Sequence, residues 1–343
     1  MTPNVVLVTG VGGYLGGNVA ARLAANPDIE RVIGVDTAPP HGDLALGRAE
    51  FVRVDIRNPL IAKIITSAKV DTVVHASTTA NPPGPTRRTL VKEMNVIGTM
   101  QLLAACQRSR TVRKLVVKST AAVYGTSSRS PAVFTEEDTP RDLPTSGYAK
   151  DAVEVEGYVR GFTRRRPDVT VTTLRLTNVI GPGVDTVLAR YFALPVVPTV
   201  LGYDARVQLL HSEDALAVLE HATVTDVPGV FNAGGDGTLM LSQAIRRAGR
   251  VPLPVPGMAI PALARFFRGA RVVNFSPDQL RYLNHGRVVD TTRLKTIFGF
   301  TPRWTTVRAF DDFVRGSGLR PVVDTAPLAG LERRLRQAAT AQR

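Results

Sequence analysis

The first half of the chain alternates short β-branched apolar runs with longer segments whose apolar residues recur at helical spacing. Residues 4–9 are a run of the first kind and close on glycines, and residues 14–25 continue with the small and apolar residues of a buried helix. The alternation then repeats. A strand at 31–35 leads to a loop, one at 51–54 to a helix after Pro59, and one at 72–76 to a long helix within 89–108. A strand at 114–119, a helix from 148 to 163 and a strand at 169–176 follow. Strands alternating with helices in this way predict an α/β fold, a Rossmann-like doubly wound parallel sheet covered on both faces, with its ligand crevice outside the carboxyl ends of the strands.

Beyond Gly181-Pro182-Gly183 the rhythm loosens into a strand-like 207–210, a helix after Ser212 and a strand around 230–232. Inserted pieces of this kind build a second lobe over the crevice. The expected organisation is a nucleotide-binding domain over 1–180, with core strands also contributed by about 205–235, and a smaller C-terminal substrate lobe interleaved over 181–325. Pro252, Pro254, Pro256 and Pro261 open a basic, loop-rich region, and 326–343 is a basic tail, polar and helical or frayed.

The glycines at 10, 13 and 16 fall between the first strand and the first helix, in Thr9-Gly10-Val11-Gly12-Gly13-Tyr14-Leu15-Gly16. The spacing is not Gly-x-Gly-x-x-Gly, but it solves the same problem: a tight turn, close approach of backbone to a pyrophosphate, and free N–H groups at a helix N-terminus to meet the phosphate charge. Asp36 follows Gly16 by 20 residues, at the end of the next strand. An acid there accepts hydrogen bonds from ribose hydroxyls and repels a 2′-phosphate, which favours NAD over NADP. Asp55 and Ile56, ending the third strand, are candidates for the adenine; the alternative for Asp55 is a helix cap before Pro59.

With these residues the sequence resembles the extended short-chain dehydrogenases/reductases, specifically the NAD-dependent epimerase/dehydratase group that includes UDP-glucose 4-epimerase. The resemblance also rests on His75-Ala76-Ser77, Asn95-Val96-Ile97-Gly98-Thr99, the segment from Ser119 to Gly125, Tyr148, the segment from Leu174 to Pro182, His211–Asp214, and Val289-Asp290-Thr291 through Pro302, in family order over roughly residues 4 to 315. It implies hydride chemistry at a sugar hydroxyl. Thr120 matches the Ser/Thr that hydrogen-bonds the reacting oxygen, and Tyr148 the tyrosine that exchanges its proton. Gly10, Gly12, Gly13, Tyr14, Leu15, Gly16, Asp36, Asp55, Ile56, His75, Ala76, Ser77, Asn95 and Tyr148 fall at cofactor positions, and Tyr124 and Asn178 at substrate positions. A homodimer through the helices at 89–108 and 148–163 is a further implication.

The sequence departs from the family at one chemically important position. The family lysine four residues beyond the tyrosine, which binds the nicotinamide ribose and lowers the tyrosine pKa, is Ala152 here. Tyrosine ionises near ~10 in water and is a poor base at neutral pH without help. Tyr148, Ala152, Val155 and Val159 share one helix face, and Lys150 points elsewhere, toward a surface pairing with Glu154. Lys118, two residues before Thr120 and therefore on the same side of its strand, is the remaining candidate for the missing cation. The family arginine four residues before the histidine at 211 is replaced by Val207, with Arg206 out of register, which puts a UDP-sugar in doubt. His211 and Asp214 are expected to fix a strand-to-helix turn.

Composition narrows the classes without adding chemistry. Apolar residues make up 44% and charged residues 21% of 343 residues, as in soluble globular proteins. No run approaches the ~18 apolar residues of a membrane span, and the first ten residues lack a basic leader, so a cytoplasmic protein is expected. A single cysteine, Cys106, and five scattered histidines leave no metal site to expect. The net charge of +14 is nearly all arginine, since seven of 43 basic residues are lysine, and it is spread along the chain, so no nucleic-acid partner is expected. The denser groups at 164–166, 265–271 and 333–336 read as solvated surface.

Two functions remain. One is an NAD-dependent epimerase/dehydratase-like oxidoreductase, atypical for want of the lysine, with a small-molecule substrate such as a nucleotide sugar. The other is a non-catalytic NAD-binding sensor or scaffold on a degenerate epimerase fold.

Overall fold

The computed structural model describes residues 3–40, 46–78, 88–139, 144, 147–256 and 277–322. Its centre is a seven-stranded sheet built from β1 (Val5–Thr9), β2 (Arg31–Asp36), β3 (Glu50–Arg53), β4 (Thr72–His75), β5 (Lys114–Thr120), β6 (Thr170–Leu176) and β11 (Gly229–Ala233). The order is β11-β6-β5-β4-β1-β2-β3, and every neighbouring pair is parallel. The continuous apolar runs seen in the sequence reflect burial on both faces: β4 is buried at all four positions and β1 at four of five.

From β1 the chain winds outward to β2 and β3, then returns to place β4 on the other side of β1 and winds away through β5 and β6. The direction of winding switches between β1 and β4, and a crevice opens there beyond the strand ends. On one face α1 (Tyr14–Ala25) and α7 (Ser212–Val224) cover the sheet around Val8, Val116, Leu174 and Phe231. On the other, α2 (Leu60–Ser67), α4 (Gly98–Arg108) and α5 (Gly147–Arg165) cover Leu7, Val73, Leu115 and Val117.

The single helix expected within 89–108 is instead three joined turns: α3 (Arg88–Lys92), a π-helical turn at Glu93–Ile97, and α4. The π turn carries Asn95 inward, where it is 1% exposed. Such turns inside helices frequently mark functional sites. The apolar stripe expected on α5 is present, with Ala152, Val155 and Val159 buried and Lys150 exposed.

The second lobe has its own core of Tyr191, Phe192, Phe310 and Phe313. It contains three two-stranded pieces: β7 (Asn178–Ile180) with β10 (Leu209–His211), β9 (Arg206–Val207) with β12 (Leu239–Met240), and β8 (Val196–Val200) with β13 (Val251–Val255). The strand expected at 207–210 is thus split in two. The prolines at 252 and 254, read as loop, lie within β13, which among the described residues pairs through one edge only, as proline's missing N–H favours. The segments at 265–271 and 326–343 lie outside the described residues.

Arg166 is not the solvated charge its Arg164-Arg165-Arg166 cluster suggests. Its guanidinium donates to the carbonyls of Cys106, Gln107, Ser109 and Val112 at 2.8–3.1 Å. It thereby satisfies and electrostatically complements the C-terminus of α4.

Candidate active site

The turn after β1 has the geometry its glycines predict. Gly10 has φ +79°, donates to the Val35 carbonyl at 2.9 Å, and a Cβ there would lie 2.5 Å from the Ser77 Cα. A Cβ on Gly16 would lie 2.2 Å from the Gly10 carbonyl oxygen. The N-cap of α1 is Gly13, which has no side chain to satisfy the first N–H groups, so the helix presents them to the crevice. Tyr14 and Leu15 then pack on the core. Asp36 accepts the Gly12 N–H at 2.9 Å and the Thr37 N–H at 2.6 Å, holding its carboxylate beside the turn.

Asp55 does not cap α2, since Leu60 N–H is taken by Asn58 at 2.9 Å. Its carboxylate is forked by Arg57 at 2.6–3.1 Å, and that hydrogen bond holds its pKa below the ordinary value. Ile56 packs where Gly98 leaves room: a Cβ on Gly98 would lie 2.7 Å from the Ile56 Cδ1. Ala76 is buried, and Ser77 closes against Gly10.

Two expectations are corrected. His75 does not offer a ring nitrogen to the crevice: it is buried, with Nδ1 2.9 Å from the Thr9 hydroxyl and Nε2 2.7 Å from that of Thr99. Burial, with the Lys118 charge adding to it, pushes its pKa down to about 3, so the ring is a neutral tie between β1, β4 and α4. Tyr124 does not present its hydroxyl to a substrate. The hydroxyl donates to Asn232 at 2.8 Å and accepts from Arg175 at 2.7 Å, and the ring stacks on Phe134 at 4.8 Å. Asn178 opens β7 at the junction with the second lobe and lies beside Tyr282. His211 caps the turn into α7 by accepting the Glu213 N–H, whereas Asp214, expected to fix the same turn, accepts the N–H groups of Arg303 and Trp304 and ties α7 to that distant segment.

The reacting half forms where the ends of β4 and β5 face the start of α5. A small cavity there, too narrow to admit a water molecule, is lined by Thr78, Asn95, Lys118, Ser119, Tyr148, Asp151, Ala152 and Val155. Lys118 Nζ donates to the Thr78 carbonyl, and the Thr78 hydroxyl donates to the Lys118 carbonyl at 3.1 Å. Tyr148 shares a hydrogen bond with the Thr78 side chain. Burial pushes the tyrosine up to about 12, the Thr78 bond opposes this, and the Asp151 and Glu156 carboxylates add to the rise. Burial also pushes Lys118 down to about 8. Thr120 ends β5 outside this cavity, and its hydroxyl accepts the Ala122 N–H at 3.2 Å.

Three participants were missed in the sequence. Thr78 follows β4 with no local pattern to mark it. Asp151 lies one helical turn from Tyr148, a spacing that could have drawn attention to it. It is fully buried, forked by Arg88 at 2.7 Å and from its other nitrogen, and bonded by Asn95 at 3.0 Å. Beneath the cavity, Glu156 accepts from Ser119 at 2.6 Å and pairs with Arg175 at 2.7 Å. Burial works against the Arg175 charge, yet Glu156 holds its pKa above the ordinary value. The Glu154 carboxylate pairs with Lys92 at 3.3 Å rather than with Lys150.

A doubly wound sheet with a glycine turn at its switch point and an acid ending β2 defines the dinucleotide-binding class of α/β proteins. The family model "NAD dependent epimerase/dehydratase family" matches residues 6–234, and the chain belongs to that family, whose cofactor is NAD. An uncharacterized protein of Mycobacterium tuberculosis is 53% identical over 324 residues, 94% of this chain and 86% of that one. A probable UDP-arabinose 4-epimerase of Oryza sativa is 31% identical over 188 residues, 51% of this chain and 45% of that protein. Among solved structures, the UDP-glucose 4-epimerase of Thermotoga maritima with UDP-glucose superposes with a TM-score of 0.71 at 20% identity, over 92% of this chain and 98% of that one. That likeness is one of fold.

Among the described residues no helix is long and apolar enough to cross a membrane, and no cluster of three or more His, Cys, Asp or Glu side chains could hold a metal ion.

Proposed function

We propose that the protein is an NAD-dependent oxidoreductase of the epimerase/dehydratase kind, acting on a secondary hydroxyl of a nucleotide sugar or a related hydroxylated compound. The observation that supports this best is the position of Tyr148: half-buried, at the mouth of α5, against the ends of β4 and β5 on the side of the switch point that the glycine turn also faces. The turn suits NAD, since Gly10 and Gly16 leave no room for a Cβ, the N-terminus of α1 has no side-chain cap, and Asp36 stands beside it. In this reading Gly12, Gly13 and the first turn of α1 hold the diphosphate, Asp36 the adenosine ribose, and Asp55 with Ile56 the adenine end.

When bound, NAD supplies the acceptor for a hydrogen and its electron pair from the substrate carbon. Thr120 orients the substrate by hydrogen-bonding the reacting hydroxyl oxygen. Tyr148, as phenolate, takes the hydroxyl proton and returns it in the reverse step, so protons balance within the pair. The second lobe closes over the crevice and selects the substrate. Its Val207 is buried in the core, which argues for a diphosphate held differently from that of a UDP-sugar epimerase, or for another head group.

A second reading, a non-catalytic NAD-binding protein, is favoured by Ala152 and by the high pKa of Tyr148. Mass spectrometry of small molecules released from the denatured protein identifies the nucleotide and any trapped substrate. Tyr148→Phe is then expected to abolish NAD reduction with that substrate while leaving NAD binding within about twofold. Unchanged turnover in the variant would refute the role of Tyr148, and NAD bound without turnover in the wild type across nucleotide sugars and alcohols would favour the second reading.

A further inference from the structure

We infer that Lys118, reaching in from β5, is the positioning residue for Tyr148, standing in the space opposite Ala152 and carrying the positive charge that the tyrosine needs. The inference deepens the proposed function and rests on that reading of Tyr148.

Lys118 and Tyr148 line the same small cavity and are joined through one residue, Thr78, which takes the lysine on its carbonyl and the tyrosine on its side chain. Ala152 lines that cavity from the next turn of α5, so the helix offers a methyl group and no cation there. A buried ammonium is expensive unless it serves a partner. Among the described residues, the Lys118 ammonium has one hydrogen bond, to a neutral carbonyl, and no carboxylate within ion-pair distance. The nearest acid in the cavity, Asp151, is already neutralised by Arg88 and bonded by Asn95. Glu156 is engaged by Arg175 and Ser119, and His75 beneath Lys118 is neutral. The counter-charge that Lys118 lacks is the one Tyr148 acquires when it gives up its proton.

The pH dependence follows from the two groups together. In this chain burial holds Tyr148 at about 12 and Lys118 near about 8. An ammonium near a phenolate favours it and is favoured by it in turn, so the two titrate as a coupled pair. Loss of the lysine should therefore move the ionisation of Tyr148 to still higher pH.

The test compares wild type, Lys118→Met, and the swap Lys118→Ser/Ala152→Lys, which returns the cation to the helix. Protein labelled with ¹³C at the tyrosine ring is titrated by NMR with NAD present, and the Tyr148 signal is assigned with Tyr148→Phe. The midpoint of the Tyr148 titration is expected to rise by at least about one pH unit in Lys118→Met, a tenfold loss of phenolate at a fixed pH, and to recover most of that shift in the swap. An unchanged Tyr148 titration in Lys118→Met, or a loss that the swap does not repair, would overturn the inference. Should Lys118→Met not fold, a swap whose phenolate fraction stays at least tenfold below wild type would overturn it equally. A wild type inert toward every nucleotide sugar, yet with a Lys118-dependent titration, would defeat the substrate reading and leave this one standing. Turnover by Lys118→Met equal to wild type would do the reverse.

Discussion

The glycine turn allows a prediction in which two physical effects oppose each other. Gly16 lies in the first turn of α1, where replacing glycine by alanine ordinarily stabilises a helix by about 1 kcal/mol. A Cβ at that position, however, falls 2.2 Å from the carbonyl oxygen and 2.6 Å from the carbonyl carbon of Gly10. These are backbone atoms fixed by the Gly10 N–H bond to Val35 and by the Gly10 carbonyl's own bond to Gly13, so no side chain can swing away. The turn must open by roughly 1 Å to reach ordinary contact, and overpacking of this kind costs about 1–3 kcal/mol. The steric term wins. Gly16→Ala is expected to lower stability by up to about 2 kcal/mol in urea unfolding and to weaken NAD binding at least tenfold, about 1.4 kcal/mol, in calorimetry. Gly13→Ala is the internal control, because the nearest atom to its Cβ is the same oxygen at an ordinary 3.5 Å. It should fold, lose well under 1 kcal/mol, and bind NAD within a fewfold of wild type. Gly16→Ala with raised stability and unaltered affinity would show that helix propensity governs here and that the close approach of the turn to α1 is not as described.

Two further predictions concern what holds the site in place. Glu156→Leu strands Arg175 in the interior and is expected to cost about 3–5 kcal/mol, whereas Glu156→Leu with Arg175→Met should recover most of it; a double variant as unstable as the single would mean that packing, not the stranded charge, dominates. His75, held near about 3 against an ordinary 6.5, stays neutral in the folded chain while the unfolded chain takes up a proton. Stability is therefore complete above about 6.5 and falls by about 1.4 kcal/mol per pH unit below it, some 2 kcal/mol by pH 5. His75→Gln should flatten that limb in urea titrations at the two pH values, and an identical slope would remove His75 as its source.

What the sequence determined is what neighbours in the chain settle between themselves. The strands at β1, β2 and β4 are legible because burial on both faces demands apolar runs, and β5 and β6 because β-branched residues fill them. The turn at 10–16 and the acid at 36 are legible because a tight strand-to-helix connection fixes glycine spacing and one strand's length fixes the distance to the acid. The stripe on α5, and the absence of a lysine from it, follow from helical period alone. The tertiary structure decided every relation that spans the sheet. Thr78, Lys118 and Tyr148 are 30 or more residues apart in sequence, and only the parallel pairing of β4 with β5 and the packing of α5 bring them to one cavity. The same holds for the hydroxyl of Tyr124 and the ring of His75: each residue type suits a crevice, but buried partners from distant strands took their polar atoms first. Arg166 looked like one more surface charge until the end of α4 came to rest within its reach. Local pattern sets which way a side chain points, and packing sets what it meets.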